Sequence, residues 1–256
     1  MSLLEVRDLH RSFYGVTAVR GTSFTVDAGT ITGLIGPNGA GKTTVFNCIS
    51  GIVPVDSGSI VFDGEEIARR SPESIARRGL VRTFQIARGL EHLSVYENLM
   101  LYGRGQPGES LAVALARTGA SRVRERELTA RALAIAERLR LTAVLNERAA
   151  DLSGGQKKLL EIGRALMTEP KLILLDEPIA GVNRTLANEI ARDLRTLQAD
   201  GISLLVIEHD MDLVARICDP VIVLAQGRAL ARGTFDEIAN DPRVQEAYMG
   251  TRRWAS

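Results

Sequence analysis

Aromatic residues are scarce in this chain, at 4% of 256 residues. That scarcity leaves no series of rings on which unpaired bases could stack, and argues against a single-strand nucleic-acid platform. Cysteine is rarer still. Cys48 and Cys218 are too few for a disulfide framework, and Cys48 is expected to be a plain buried thiol in a helix. No charge dominates: 32 Lys and Arg against 31 Asp and Glu leave a net +1, so there is no electrostatic footprint of a nucleic-acid binder. No apolar run approaches the ~18 residues that cross a bilayer. The opening stretch, Met1–Leu9, alternates charged and apolar residues, unlike a signal peptide. A cytosolic location is the expectation. Internal repeats and low-complexity segments are also missing, and the length suits one large domain or a domain with a lobe.

What is present centres on Ile31–Thr44. An apolar strand, Ile31–Ile35, runs into Gly36, Pro37, Asn38, Gly39, Ala40, Gly41, Lys42, Thr43 and Thr44. Gly36, Gly41, Lys42 and Thr43 fill the phosphate-loop pattern G-x-x-x-x-G-K-[ST]. A polyphosphate is best held by inward-pointing backbone N–H groups, so side chains are expected to be missing where the backbone approaches, at Gly36, Gly39 and Gly41. The helix that follows presents its positive end to the same phosphates. Lys42 is placed to reach the β- and γ-phosphates, and the Thr43 hydroxyl to ligate Mg²⁺.

Around this stretch the pattern is that of an α/β fold. Leu3–Leu9 and Thr22–Val26 read as strands, and Ser59–Phe62 with Glu65–Ile67 as a hairpin on an Asp63-Gly64 turn. Antiparallel β is therefore expected around a parallel nucleotide-binding strand. Ser94 with Glu97 forms a capping box opening a helix, Gly103–Gly108 is a break, and Leu128, Ala132, Ile135 and Leu139 share one helical face. This middle portion reads as a helical lobe inserted into the core. Residues 1–87 and 160–256 are assigned to the core and 88–159 to the lobe. Lys171–Leu175 and Ser203–Ile207 are continuous apolar runs expected of strands buried on both faces. Leu186–Leu197 is helical, Pro220–Ala231 a strand and hairpin, and Phe235–Met249 mostly helical.

Further candidate residues sit where strands end, the usual place for ligands in open α/β sheets. Asp176 is placed to hold Mg²⁺ through water, and Glu177 to orient and deprotonate an attacking water. His209 ends the next strand and can turn its imidazole to the γ-phosphate. Gln85, at the junction of core and lobe, carries an amide oxygen able to touch Mg²⁺ or the water and then withdraw. Ser153, Gly154, Gly155 and Gln156 begin a helix with a capping box and also form a second anion site. One nucleotide does not need two cradles from one chain, whereas two chains arranged head to tail do.

Gly36–Thr44, Gln85, Leu152–Gln156, Leu172–Glu177 and His209, in that order, resemble the nucleotide-binding subunit of ATP-binding-cassette (ABC) transporters, over nearly the whole chain. Arg82-Thr83-Phe84-Gln85, Val45-Phe46-Asn47, Ile207–Met211 and Ala247–Gly250 are similar to the branched-chain amino-acid importer branch, as is the long segment Leu101–Ser121. The resemblance implies a phosphate-loop NTPase fold with a parallel core sheet, an N-terminal antiparallel β subdomain and an inserted helical lobe. It implies ATP and Mg²⁺ as cofactors, with catalysis by Glu177, His209, Gln85 and Lys42 and the metal at Thr43, Gln85 and Asp176. Phe13 matches the aromatic that stacks on adenine, with Tyr14 as the alternative. Ala180–Asn183 matches the loop that joins two sites across a dimer, with Asn183 where the family usually has aspartate.

The implied partners are transmembrane permease subunits, a second ATPase subunit (sibling or self) and, indirectly, an extracytoplasmic substrate-binding protein, with the chain on the cytoplasmic face of the membrane. Arg88–Asn98, with Leu90, Leu93 and Val95 expected at the surface, is the candidate contact for a membrane partner. Rival readings are an ATPase for urea or amide uptake or lipopolysaccharide export, a soluble ABC protein, and an unrelated phosphate-loop GTPase or kinase.

Overall fold

The computed structural model describes residues 2–83, 90–105 and 119–249. Its residue contacts form two compact units, one of Met1–Arg82, Lys171–Pro178 and Ala191–Ser256, the other of Thr83–Pro170 and Ile179–Ile190. The second unit thus runs past residue 159 to Pro170 and takes in Ile179–Ile190 as well.

The first unit holds two sheets. Strands β1 (Ser2–Phe13), β2 (Val16–Asp27), β4 (Ser57–Phe62) and β5 (Glu65–Glu66) form an antiparallel sheet in the order β2-β1-β4-β5. Both long strands extend beyond the stretches their alternation indicates, because most of the added residues gain cross-strand partners, down to Phe13 opposite Val16. The second sheet combines β3 (Ile31–Ile35), β6 (Leu80–Arg82), β7 (Leu172–Asp176), β8 (Ser203–Ile207), β9 (Val221–Ala225) and β10 (Arg228–Gly233) in the order β10-β9-β3-β8-β7-β6. Its strands are parallel except β10, which pairs antiparallel with β9. Every residue of β3 and β8 is buried, as expected where a parallel sheet is covered on both faces.

Helix α1 (Lys42–Ile49) buries Val45, Phe46, Cys48 and Ile49 in a core shared with Leu4, Leu9, Ile60 and Phe62 of the antiparallel sheet and Leu34, Leu174 and Leu205 of the parallel one. Cys48 is the buried thiol expected of it, and burial pushes it up to about 11. Helix α2 (Pro72–Arg77), which the apolar pattern does not announce, is opened by Ser71, whose hydroxyl accepts from Ser74 N, and by proline in its first turn.

In the second unit, α3 (Val95–Leu101) begins at the Ser94–Glu97 capping box. Helix α4 (Gly119–Arg138) buries Leu128, Ala132 and Ile135, and Leu139 just beyond it is buried too. Helix α5 (Gly154–Met167) begins at Ser153. The three helices converge at Gly163, where an added Cβ would lie 2.9 Å from Leu99, 3.2 Å from Leu139 and 3.4 Å from Ile135. One expectation fails here. Val95 is completely buried, and Leu90 and Leu93 are half-buried. The reason is Asn98, itself buried, whose amide donates to the carbonyls of Leu90, Leu93 and Ser94 and folds that segment onto the helix. Arg88 lies outside the described residues.

Helix α6 (Arg184–Ala199) has residues in both units. Helices α7 (Met211–Ile217), α8 (Phe235–Ala239) and α9 (Pro242–Met249) complete the chain. No helix among the described residues is long and apolar enough to cross a membrane.

Candidate functional site

The glycine-rich loop leaves the C-terminal end of β3 and enters α1. Gly41 is the N-cap of that helix, with φ +98, and no side chain caps it. The first turn also holds no acidic residue. Its free N–H groups and positive dipole end are therefore available to an anion. Lys42 is buried, and its ammonium donates to the carbonyls of Gly36 at 2.7 Å and Pro37 at 3.1 Å. Burial pulls its pKa down, and the nearby carboxylates of Glu177 and Asp176 oppose that shift. Thr43 is exposed at the first turn of α1 and Thr44 is half-buried.

The glycines of the loop have different causes. At Gly36 a Cβ would lie 2.0 Å from the Leu224 carbonyl oxygen, and at Gly41 it would lie 2.6 Å from that of Ala18. Both positions are thus closed by the protein's own backbone, not left open for a phosphate. Gly39 alone of the three has φ +78 and no neighbour within 4 Å, the condition that the phosphate argument requires. A Gly36→Ala substitution meets a backbone atom that cannot step aside, so it is expected to lower stability by about 3 kcal/mol. Calorimetric unfolding measures this, and an unchanged melting temperature would contradict the packing role.

Beyond the loop, the ends of neighbouring parallel strands supply the polar groups. Asp176 closes β7, and its carboxylate accepts from Arg82 Nη2 at 2.9 Å. Glu177 follows with φ +49, in the left-handed region that disfavours a branched or long side chain. Its N–H donates to the Ile207 carbonyl at 2.9 Å, which extends the pairing of β7 with β8 by one residue. Its Oε1 lies 3.1 Å from Nε2 of His209, both side chains being about half exposed. His209 therefore points at the carboxylate of Glu177, a more specific placement than a general orientation toward a phosphate.

Four residues of this cluster carry no role assigned from the sequence. Glu208 is buried and accepts from the N–H groups of His209 at 3.0 Å and Asp210 at 3.4 Å, so it fixes the turn that presents His209. Asp210 then caps α7 by accepting from Leu213 N at 2.9 Å. Arg82 and Asn47 form the third feature, since Arg82 Nη1 donates to Asn47 Oδ1. A charged residue closing an apolar strand, as Arg82 and Glu208 both do, is the only local signal for either.

Phe13 is half-buried, with the Arg11 guanidinium 4.6 Å from its ring centroid. Tyr14, at φ +48 in the β1–β2 turn, is fully exposed. Asn183 accepts from Leu186 N at 2.9 Å and so caps α6. In the second unit, Ser153 Oγ accepts from Gln156 N at 3.3 Å while Ser153 N donates to Gln156 Oε1 at 2.8 Å. Gly154 is exposed with open space around it, whereas Gly155 is buried and a Cβ there would lie 1.8 Å from Leu186 Cδ2. One glycine of this pair serves internal packing and the other leaves the helix end accessible. Gln85 lies outside the described residues.

Sheet order, glycine loop, uncapped helix and carboxylates at adjacent strand ends define a phosphate-loop nucleotide-binding fold. The family described as ABC transporter matches residues 19–180, and the branched-chain amino acid ATP-binding cassette transporter family matches residues 230–253. The chain belongs to the ABC transporter family. It is 39% identical over 252 residues to the probable branched-chain amino acid transport ATP-binding protein LivG of Archaeoglobus fulgidus, covering 98% of this chain and 97% of that protein. It is 40% identical over 249 residues to the high-affinity branched-chain amino acid transport ATP-binding protein BraF of Pseudomonas aeruginosa, covering 97% of this chain and 98% of that one. Among solved structures, a nucleotide-free ATP-binding cassette from an ABC transporter superposes with a TM-score of 0.85 at 38% identity, covering 97% of this chain and 99% of that one. The ADP conformation of an ATP-binding cassette of an ABC transporter gives 0.84 at 38% identity, covering 98% and 99%.

Proposed function

We propose that this chain is the ATP-binding and ATP-hydrolysing subunit of a membrane importer for branched-chain amino acids. The observation that carries the chemistry is a buried lysine amine held inside the glycine loop by the Gly36 carbonyl, in the field of the carboxylates of Asp176 and Glu177 at the end of β7 in the same sheet. The substrate class is supported by identity to branched-chain transport ATP-binding proteins over nearly the whole chain and by the match of its last elements, residues 230–253.

In this reading the loop from Gly36 to Thr44 wraps the triphosphate, Gly39 giving the closest backbone approach and Lys42 donating to the β- and γ-oxygens. Phe13 or Tyr14 lies against the adenine. Glu177 takes the proton of the attacking water, and His209 holds the carboxylate in position and reports on the γ-phosphate. Gln85 offers its amide oxygen to Mg²⁺ or the attacking water. The residues present fit Mg²⁺. Among the described residues no group of three or more His, Cys, Asp or Glu side chains could cage a metal. The Thr43 hydroxyl and the Asp176 carboxylate are hard oxygen donors of the kind Mg²⁺ takes, one or two from the protein beside phosphate and water. When bound, Mg²⁺ neutralises charge on the phosphate oxygens.

Ser153–Gln156 of a second ATPase subunit covers the nucleotide in a head-to-tail sandwich, and closure drives permease subunits from the cytoplasmic side of the membrane. Ser153→Arg places a bulky cation at that helix end and is expected to abolish ATP-dependent association while each chain still binds ATP. Light scattering with and without nucleotide reads this out, and dimers that persist in the variant would defeat the role in trans.

A further inference from the structure

Arg82 belongs to none of the roles above, yet its guanidinium ties three elements of the site together. It ends β6, its Nη2 donates to Asp176 Oδ2 at 2.9 Å across 94 residues of chain, and its Nη1 donates to Asn47 Oδ1 in α1. Its carbon Cζ sits 5.7 Å from the ring centroid of Phe46, also in α1, and its side chain is only 8% exposed. Asp176 is 27% exposed. A buried guanidinium carries a large desolvation cost, offset only where the fork is well used.

We propose that Arg82 is the positioning residue for the metal-facing carboxylate, an inference that rests on the ATPase reading above. One oxygen of Asp176 is taken by the guanidinium, so the carboxylate is fixed in one rotamer with its other oxygen directed to the water shell of a nucleotide-bound divalent cation. Asn47 and the Phe46 face keep the guanidinium from following the carboxylate. Because both anchors stand on the helix that opens at Lys42, the carboxylate is registered to the phosphate loop itself. Removing such a partner typically lowers metal affinity about 10–100-fold.

The test is binding of a fluorescent ATP analogue to the purified full chain, titrated in EDTA and again in Mg²⁺. Arg82→Gln is expected to bind the analogue in EDTA as the unaltered chain does, and to lose about 10–100-fold of the gain in affinity that Mg²⁺ confers. Arg82→Lys keeps the charge without the fork and is expected to recover part of that gain. Asn47→Ala, which leaves the ion pair but removes an anchor, is expected to lose a smaller part. Equal gains from Mg²⁺ in the unaltered chain, Arg82→Lys and Asn47→Ala would overturn the positioning role, even where Arg82→Gln fails to fold. An unaltered chain that binds no nucleotide in either buffer overturns the ATPase reading instead, and the role of Arg82 with it.

Discussion

Glu177→Gln is expected to slow ATP hydrolysis by about 10²–10⁴-fold, the usual span of general acid–base catalysis, while nucleotide affinity stays within a few-fold. The amide has the shape of the carboxylate and can still reach His209 Nε2, which stands 3.1 Å from Oε1. What it loses is the negative charge and the basic lone pair that accept a proton from water. The Glu177 backbone, already pinned by its N–H to Ile207, has no reason to move. Phosphate release under single-turnover conditions isolates the chemical step, and equilibrium binding checks the ground state. Near-normal turnover in the variant would remove Glu177 as the base and pass that role to another group.

Lys42→Ala is expected to cut nucleotide affinity by about 10²–10⁴-fold. The lysine can give two charge-assisted hydrogen bonds to phosphate oxygens, each contributing about 1.5–3 kcal/mol. The folded chain has little reason to suffer. Burial already disfavours the charged amine and lowers its pKa, so removing it relieves a desolvation cost while freeing two carbonyls at the loop. A melting temperature within a few degrees of the unaltered chain, alongside lost binding in a calorimetric titration, is the expected pair of results. Unchanged affinity would overturn the phosphate-loop assignment.

The parts of this molecule that depend on local order were legible in the chain. Ile31–Ile35 and Ser203–Ile207 are apolar without interruption because both faces are covered, and the boxes at Ser94 and Ser153 close within four residues. What depends on distant neighbours was not. Strand β6 has only three residues, and its identity comes from pairing with β7. Val95 looks like an exposed apolar residue until Asn98 folds the preceding loop over it. The glycines at 36 and 41 answer to the carbonyls of Leu224 and Ala18, each far from the loop in sequence on one side or the other. Arg82 and Asp176 become a pair only when β6 and β7 lie side by side.

The left-handed backbone at Glu177 has a further consequence. Glycine and asparagine accept φ +49 more readily than glutamate, so the residue best suited to the fold at this position is not the one suited to proton transfer. Selection for heat resistance alone would favour Asn or Gly here and discard the base, at a gain of about 1 kcal/mol. In the proposed mechanism only the glutamate serves turnover, so selection for hydrolysis would act against that drift. Of the left-handed non-glycine positions among the described residues, Glu177 is thus the one where, under the proposed mechanism, a stabilising replacement would cost hydrolysis.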